Sequence, residues 1–181
     1  MMRIENLKNL IEQAKDCLLN PNKVSIHILE TLITRYNKIV AEVNDENKLP
    51  KIETFNPNSD FDYDNHLSEN GVEKLFLIKI WAQGYVNCEQ NHSSVKGYLQ
   101  SISQSAQELY KDKDNANIGA LKALITAYNK IVLDVKCLNG IEAFNRKKDM
   151  KRSNPRISEA GLKKIKIIID NLNDYINTHS C

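Results

Sequence analysis

The chain predicts an all-α protein, a six-helix bundle made of two tandem three-helix repeats with an internal pseudo-twofold. Three observations carry that expectation. Gly and Pro number only six and four in 181 residues, of which 41% are hydrophobic. Apolar residues recur at steps of three and four over long stretches, the pattern of amphipathic helices. The stretch Leu29 to Asn44 returns at Leu121 to Lys136 with ten of sixteen residues identical and no gap. The correspondence runs on in both directions, so self-similarity spans almost the whole chain.

Helix one is expected over about Ile4 to Leu19, where Ile4, Leu7, Leu10, Ile11, Ala14 and Leu18 share a face and Asn20-Pro21-Asn22 ends it. Its counterpart spans about Ser94 to Lys111. Helix two begins near Ser25, a residue type whose hydroxyl accepts a first-turn N–H. Its stripe is Leu29, Leu32, Ile33, Tyr36, Ile39, Val40 and Val43, answered by Leu121, Leu124, Ile125, Tyr128, Ile131, Val132 and Val135. The segments Ile52-Glu-Thr-Phe-Asn and Ile141-Glu-Ala-Phe-Asn are expected to be short extended pieces that clip onto the bundle. Helix three starts at Ser68 or Ser158, with Glu69 or Glu159 in its electropositive first turn, and runs to about Val86 or Ile176. Residues 1–90 then form one repeat unit and 91–181 the other, fused into one bundle.

The most apolar stretches, LFLIKIWA and IKIIID, contain Lys79 and Lys166 and fall far short of the roughly 20 residues of a membrane span. The N-terminal MMRIENLKNLIEQAKD has no apolar core of a secretory signal. The expectation is a cytoplasmic protein without membrane contact. Cys17, Cys88, Cys137 and Cys181 form no Cys-x-x-Cys pair, which predicts reduced thiols and no zinc site. Cys88 and His92, four apart, are at most half a metal site. A surplus of Asn, Lys and Ile points to AT-rich coding, as in a low-GC bacterium or one of its phages.

Charge separates the two units. Residues 1–90 hold ten basic and fourteen acidic side chains, a net of −4, while residues 91–181 hold fifteen and nine, a net of +6. The sharpest difference lies before helix three. The loop at 56–66 carries Asp60, Asp62 and Asp64 and reads as an exposed acidic loop whose aspartates have no counterpart in the second unit. The loop at 145–156 carries Arg146, Lys147, Lys148, Lys151, Arg152 and Arg156, and Lys163 follows in the next helix. Cations so gathered suit phosphates or an acidic protein surface. The acidic loop of one molecule meeting the basic loop of another would make a homodimer.

No Gly-rich phosphate loop, nucleophile elbow, His-Glu-x-x-His or calcium loop occurs. The expectation is therefore no enzyme: no catalytic residue, no cofactor and no metal. Tyr36, Asn37, Tyr128 and Asn129 recur in both units and are candidates for a pocket or for contact between the repeats. The string RISEAGLKKI after the basic loop resembles, over some twenty residues, the wing-to-helix junction of MarR-type winged-helix regulators. That resemblance implies DNA contact by the second unit; the acidic loop of the first is at odds with a DNA wing.

The leading functional expectation is a helical binding protein that engages a protein partner or a protein–nucleic acid complex. One concrete form is a phage or mobile-element protein that inhibits a host complex such as a CRISPR effector. The alternative is a nucleic-acid-binding regulator that uses the basic loop of the second repeat.

Overall fold

The computed structural model describes residues 2–43, 49–91, 95–114, 116–135, 137–151 and 156–178. Among them are six longer helices, two single-turn helices and no strand: α1 (Met2–Leu19), α2 (Ile26–Val43), α3 (Pro57–Asp60), α4 (Glu69–Asn91), α5 (Lys96–Lys111), α6 (Ile118–Val132), α7 (Arg146–Asp149) and α8 (Glu159–Thr178). The all-α expectation holds. A 3-10 turn at Pro21–Lys23 separates α1 from α2.

The helix starts follow from their caps. Ser25 Oγ accepts the Ile28 N–H at 3.3 Å. Ser68 Oγ accepts from Asn70 and Gly71, and Ser158 Oγ accepts from Gly161. Asn117 Oδ1 takes the Gly119 N–H at 2.7 Å and opens α6. Each bond satisfies a first-turn donor that would otherwise lack a partner, worth about 1 kcal/mol. Helix α6 stops at Val132, short of the predicted stripe end at Val135, because the chain tightens into a turn in which the Val135 N–H reaches the Val132 carbonyl.

Helix α4 is the centre of the bundle. It packs most extensively on α5, α1 and α6, while α8 packs chiefly on α5. Being covered on several sides, α4 buries Leu75, Phe76, Ile78, Ile80, Trp81, Ala82 and Gly84; α8 buries one stripe, Gly161, Lys164, Ile165, Ile168 and Leu172. This is why LFLIKIWA is a nearly continuous apolar run and IKIIIDNL is not. Among the described residues, the α4–α6 packing has no comparable contact between α2 and α8.

The seam between the first 91 residues and the rest is close and mixed in character. Trp81 meets Tyr98 edge to face at 6.0 Å, and Ser101 Oγ donates to the Ile80 carbonyl at 2.9 Å. Three ion pairs cross it: Arg146 to Glu69 at 2.7 Å, Lys122 to Glu73 at 2.6 Å and Lys79 to Glu108 at 2.5 Å. Part of the charge split in the sequence is therefore complementarity inside one molecule.

Candidate functional site

The charged loops are built on two knuckles of the same design. After each Phe-Asn the chain makes one helical turn, capped by Asn56, whose side chain accepts from Asn58, or by Asn145, which accepts from Lys147 and Lys148. The turn ends on Asp60 or Asp149, both completely buried. Asp60 Oδ2 accepts the Asn56 N–H at 2.9 Å and pairs with Lys74 Nζ at 2.8 Å; Asp149 Oδ2 does the same with Asn145 at 2.8 Å and Lys164 at 2.8 Å. Each lysine also donates to a carbonyl of the preceding extended segment, Thr54 or Ala143, at 2.9 Å. The chain then passes so close to the next helix that a Cβ on Gly71 or Gly161 would lie 2.5 Å from the Asp60 or Asp149 carbonyl oxygen. Single bridges, Phe61 to Leu67 and Met150 to Ile157, close the knuckles.

Two expectations are corrected by this geometry. Asp60 belongs to the core and not to an exposed acidic loop, and the second unit does have its counterpart, Asp149. Lys164, a lysine in a run of basic residues, is likewise buried and held by its partners. The signal was in the sequence: an Asp four residues after Phe-Asn occurs in both units.

What remains exposed differs between the knuckles. Around the first, Asp62 Oδ1 accepts the N–H groups of Asp64 and His66 at 3.0 and 2.8 Å, Asn65 takes the left-handed conformation at φ 58°, and Tyr63 stands fully exposed. Around the second, Arg146 is engaged by Glu69 and Lys148 by Glu142 at 2.8 Å. The bond from Lys148, and then its charge, hold the Glu142 carboxyl below its ordinary pKa and the Lys148 ammonium above its own. Lys147, Lys151, Arg156 and Lys163 are exposed and make no ion pair among the described residues. Arg152 lies outside the described residues. No strand ladder flanks this loop among the described residues, so the structure gives the resemblance to a winged-helix wing no support.

The repeated Tyr-Asn pair clips each extended segment to its own helix. Asn37 Nδ2 donates to the Ile52 carbonyl at 2.8 Å and its Oδ1 accepts the Ile52 N–H at 3.0 Å; Asn129 makes the same two bonds to Ile141, both at 2.9 Å. Tyr36 and Tyr128 donate to the carbonyls of Pro50 and Asn139, each at 2.8 Å. These four residues line none of three surface clefts among the described residues. Replacing Asn37 or Asn129 with Ala strands a backbone donor and acceptor, which is expected to cost about 2–3 kcal/mol each in urea unfolding; unchanged midpoints would reduce the clip to a relic.

Tyr36 is fully enclosed, and burial first, then the neighbouring Tyr98, push its hydroxyl well above the ordinary tyrosine pKa. A group raised in the folded state stabilises fully below its unfolded value, near 10, and loses that contribution as pH climbs through the folded one. Ultraviolet titration of the seven tyrosines is therefore expected to show at least one that ionises only as the fold melts at alkaline pH. Smooth ionisation of all seven with the fold intact would contradict this.

No group of three or more His, Cys, Asp or Glu side chains converges as a metal set among the described residues. No helix of the described residues is long and apolar enough to cross a membrane. The chain matches no known family model, and neither the curated proteins nor the solved structures compared with it contain a detectable match.

Proposed function

We propose that this chain is a non-enzymatic helical binding protein that engages a macromolecular partner through α7, the loop after it and the start of α8. One observation carries the reading: the bonds made by Asp60 Oδ2 are repeated by Asp149 Oδ2, while Pro57, Asn58, Ser59 and Asp62 of the first knuckle give way to Arg146, Lys147, Lys148 and Lys151 in the second. The change has a structural cost. Ser59 Oγ donates to Asp60 Oδ1 at 3.1 Å, whereas Lys148 stands in its place in the second knuckle and Asp149 Oδ1 has no hydrogen-bond partner among the described residues. A buried acceptor left unsatisfied costs about 1–3 kcal/mol. A surface that gives up stability for charge is better accounted for by binding than by solubility, since any exposed polar residue serves the latter.

The exposed cations Lys147, Lys151, Arg156 and Lys163 are the residues that would meet the partner. A pull-down from the source cell's lysate, with Lys147→Gln, Lys151→Gln and Arg156→Gln combined as control, tests this. Partners recovered by the native chain and lost by the variant support it; equal recovery with both overturns it. Nucleic acid is the second reading, favoured by the same four cations. They limit the slope of log affinity against log salt to about −4, at about 0.9 per phosphate, and absence of a gel shift at low salt would remove it.

We also read the chain as two tandem three-helix repeats, α1–α2–α4 and α5–α6–α8. The duplicated hydrogen bonds support the repeats. The α4–α6 packing without an α2–α8 counterpart favours an open, head-to-tail step between them over a closed pseudo-twofold. Where α4 has Phe76, Ile80 and Gly84 against the second repeat, α8 has exposed Lys166, Asp170 and Asp174. Such a polar outer face suits the last repeat of an array.

A further inference from the structure

The seam between the repeats opens into a groove of about 510 Å³, with Leu18, Leu19, Val72, Phe76, Leu109 and Ala120 among its lining residues. That volume lies in the range of small-molecule sites, roughly 300–1,000 Å³. Leu19, at its lip, is 77% exposed. The α4 wall changes character along its length: Val72 and Phe76 give way to Lys79, seven residues and about 10 Å from Val72 along the helix. Lys79 Nζ lies 5.0 Å from the centre of the Phe76 ring and 2.5 Å from Glu108 Oε2. The Glu108 side chain is 48% exposed, so solvent can receive it if another anion takes its place. Lys15, paired with Glu12 at 2.8 Å, and Asp112 also line the groove.

The duplication shows that packing alone does not require this arrangement. Lys79 stands where the second unit has Ile169, and Ala116 and Ala120 stand where the first unit has Val24 and Ile28. The chain thus places an ammonium and two small side chains where its own counterpart positions hold branched apolar ones. The two alanines widen the groove, and the ammonium, balanced by Glu108 until a ligand carboxylate replaces it, makes one end of it polar. We propose that this groove binds one small apolar carboxylate per chain, its hydrocarbon part against Phe76 and Leu109 and its carboxylate on Lys79.

Decanoate is a suitable probe, with decanol as its uncharged control, titrated into the whole 181-residue chain by calorimetry and amide NMR. The expected result is saturable one-to-one binding of decanoate, with shifts concentrated at Leu18, Phe76 and Leu109, and binding of decanol at least tenfold weaker. Lys79→Ile installs the residue of the second unit and is expected to leave melting within a few degrees while lowering decanoate affinity at least tenfold. Ala120→Ile fills the groove and is expected to weaken decanoate in the same way. No saturable binding below the micellar concentration, equal affinity for decanol, or undiminished binding by a folded Lys79→Ile variant would each overturn the proposal.

Discussion

Lys74→Met is expected to destabilise the fold by about 3–5 kcal/mol, the usual cost of leaving a buried charge without its partner. The Asp60 carboxylate is completely buried, and Lys74 Nζ at 2.8 Å is the cation that balances it. The lysine also ties Thr54 to the knuckle, so its loss frees the extended segment as well. Pairing the change with Asp60→Asn separates these effects. An amide oxygen can still accept the Asn56 N–H and no charge remains buried, so the double variant should recover roughly half the loss. Lys164→Met should cost at least as much, because Asp149 already has one oxygen without a partner among the described residues. Urea unfolding of the single and double variants checks all three. A Lys74→Met protein within 1 kcal/mol of the native chain, an error-sized change, would mean that the pair is open to water.

The helices were legible because a 3.6-residue apolar period needs no knowledge of the partner surface. Ser25, Ser68 and Ser158 marked helix starts for the same local reason. The single turns α3 and α7 were not legible, since four residues hold no period, although Asn56 followed by Pro57 is a cap with Pro in the first helical position. The Asp60–Lys74 pair was missed because charged residues are exposed by default and only a partner makes burial tolerable. Here the repeat offered the missing clue, in Asp149 and Lys164. Arg146 and Lys148, expected to meet phosphates or an acidic partner, are engaged by Glu69 and Glu142, which a linear sequence does not place beside them. The seam groove was invisible because it is formed by positions at which the two units differ, and a search for similarity passes over those.

The same positions supply the second large effect. Gly119 lies in the first turn of α6, where a Cβ would collide with the Glu69 carbonyl oxygen and lie 2.9 Å from the Glu73 nitrogen and 3.0 Å from Val72 Cβ. Two of these are backbone atoms of α4, so no side chain can swing aside and one helix must move. Gly97 is similarly confined, since a methyl group there would lie 2.7 Å from the Gly84 carbonyl oxygen. The first unit has exposed His27 and Glu5 at the corresponding places, where no further repeat packs. Gly119→Ala gains about 1 kcal/mol in helix propensity, yet overpacking against backbone costs more, and the net expected loss is about 2–4 kcal/mol. Gly140→Ala is the control: its Cβ would meet only Asn129 Oδ1 at 3.5 Å, so stability should change little. A Gly119→Ala protein as stable as the native chain would separate α4 from α6 and, with them, remove the seam on which both the groove and the head-to-tail packing depend.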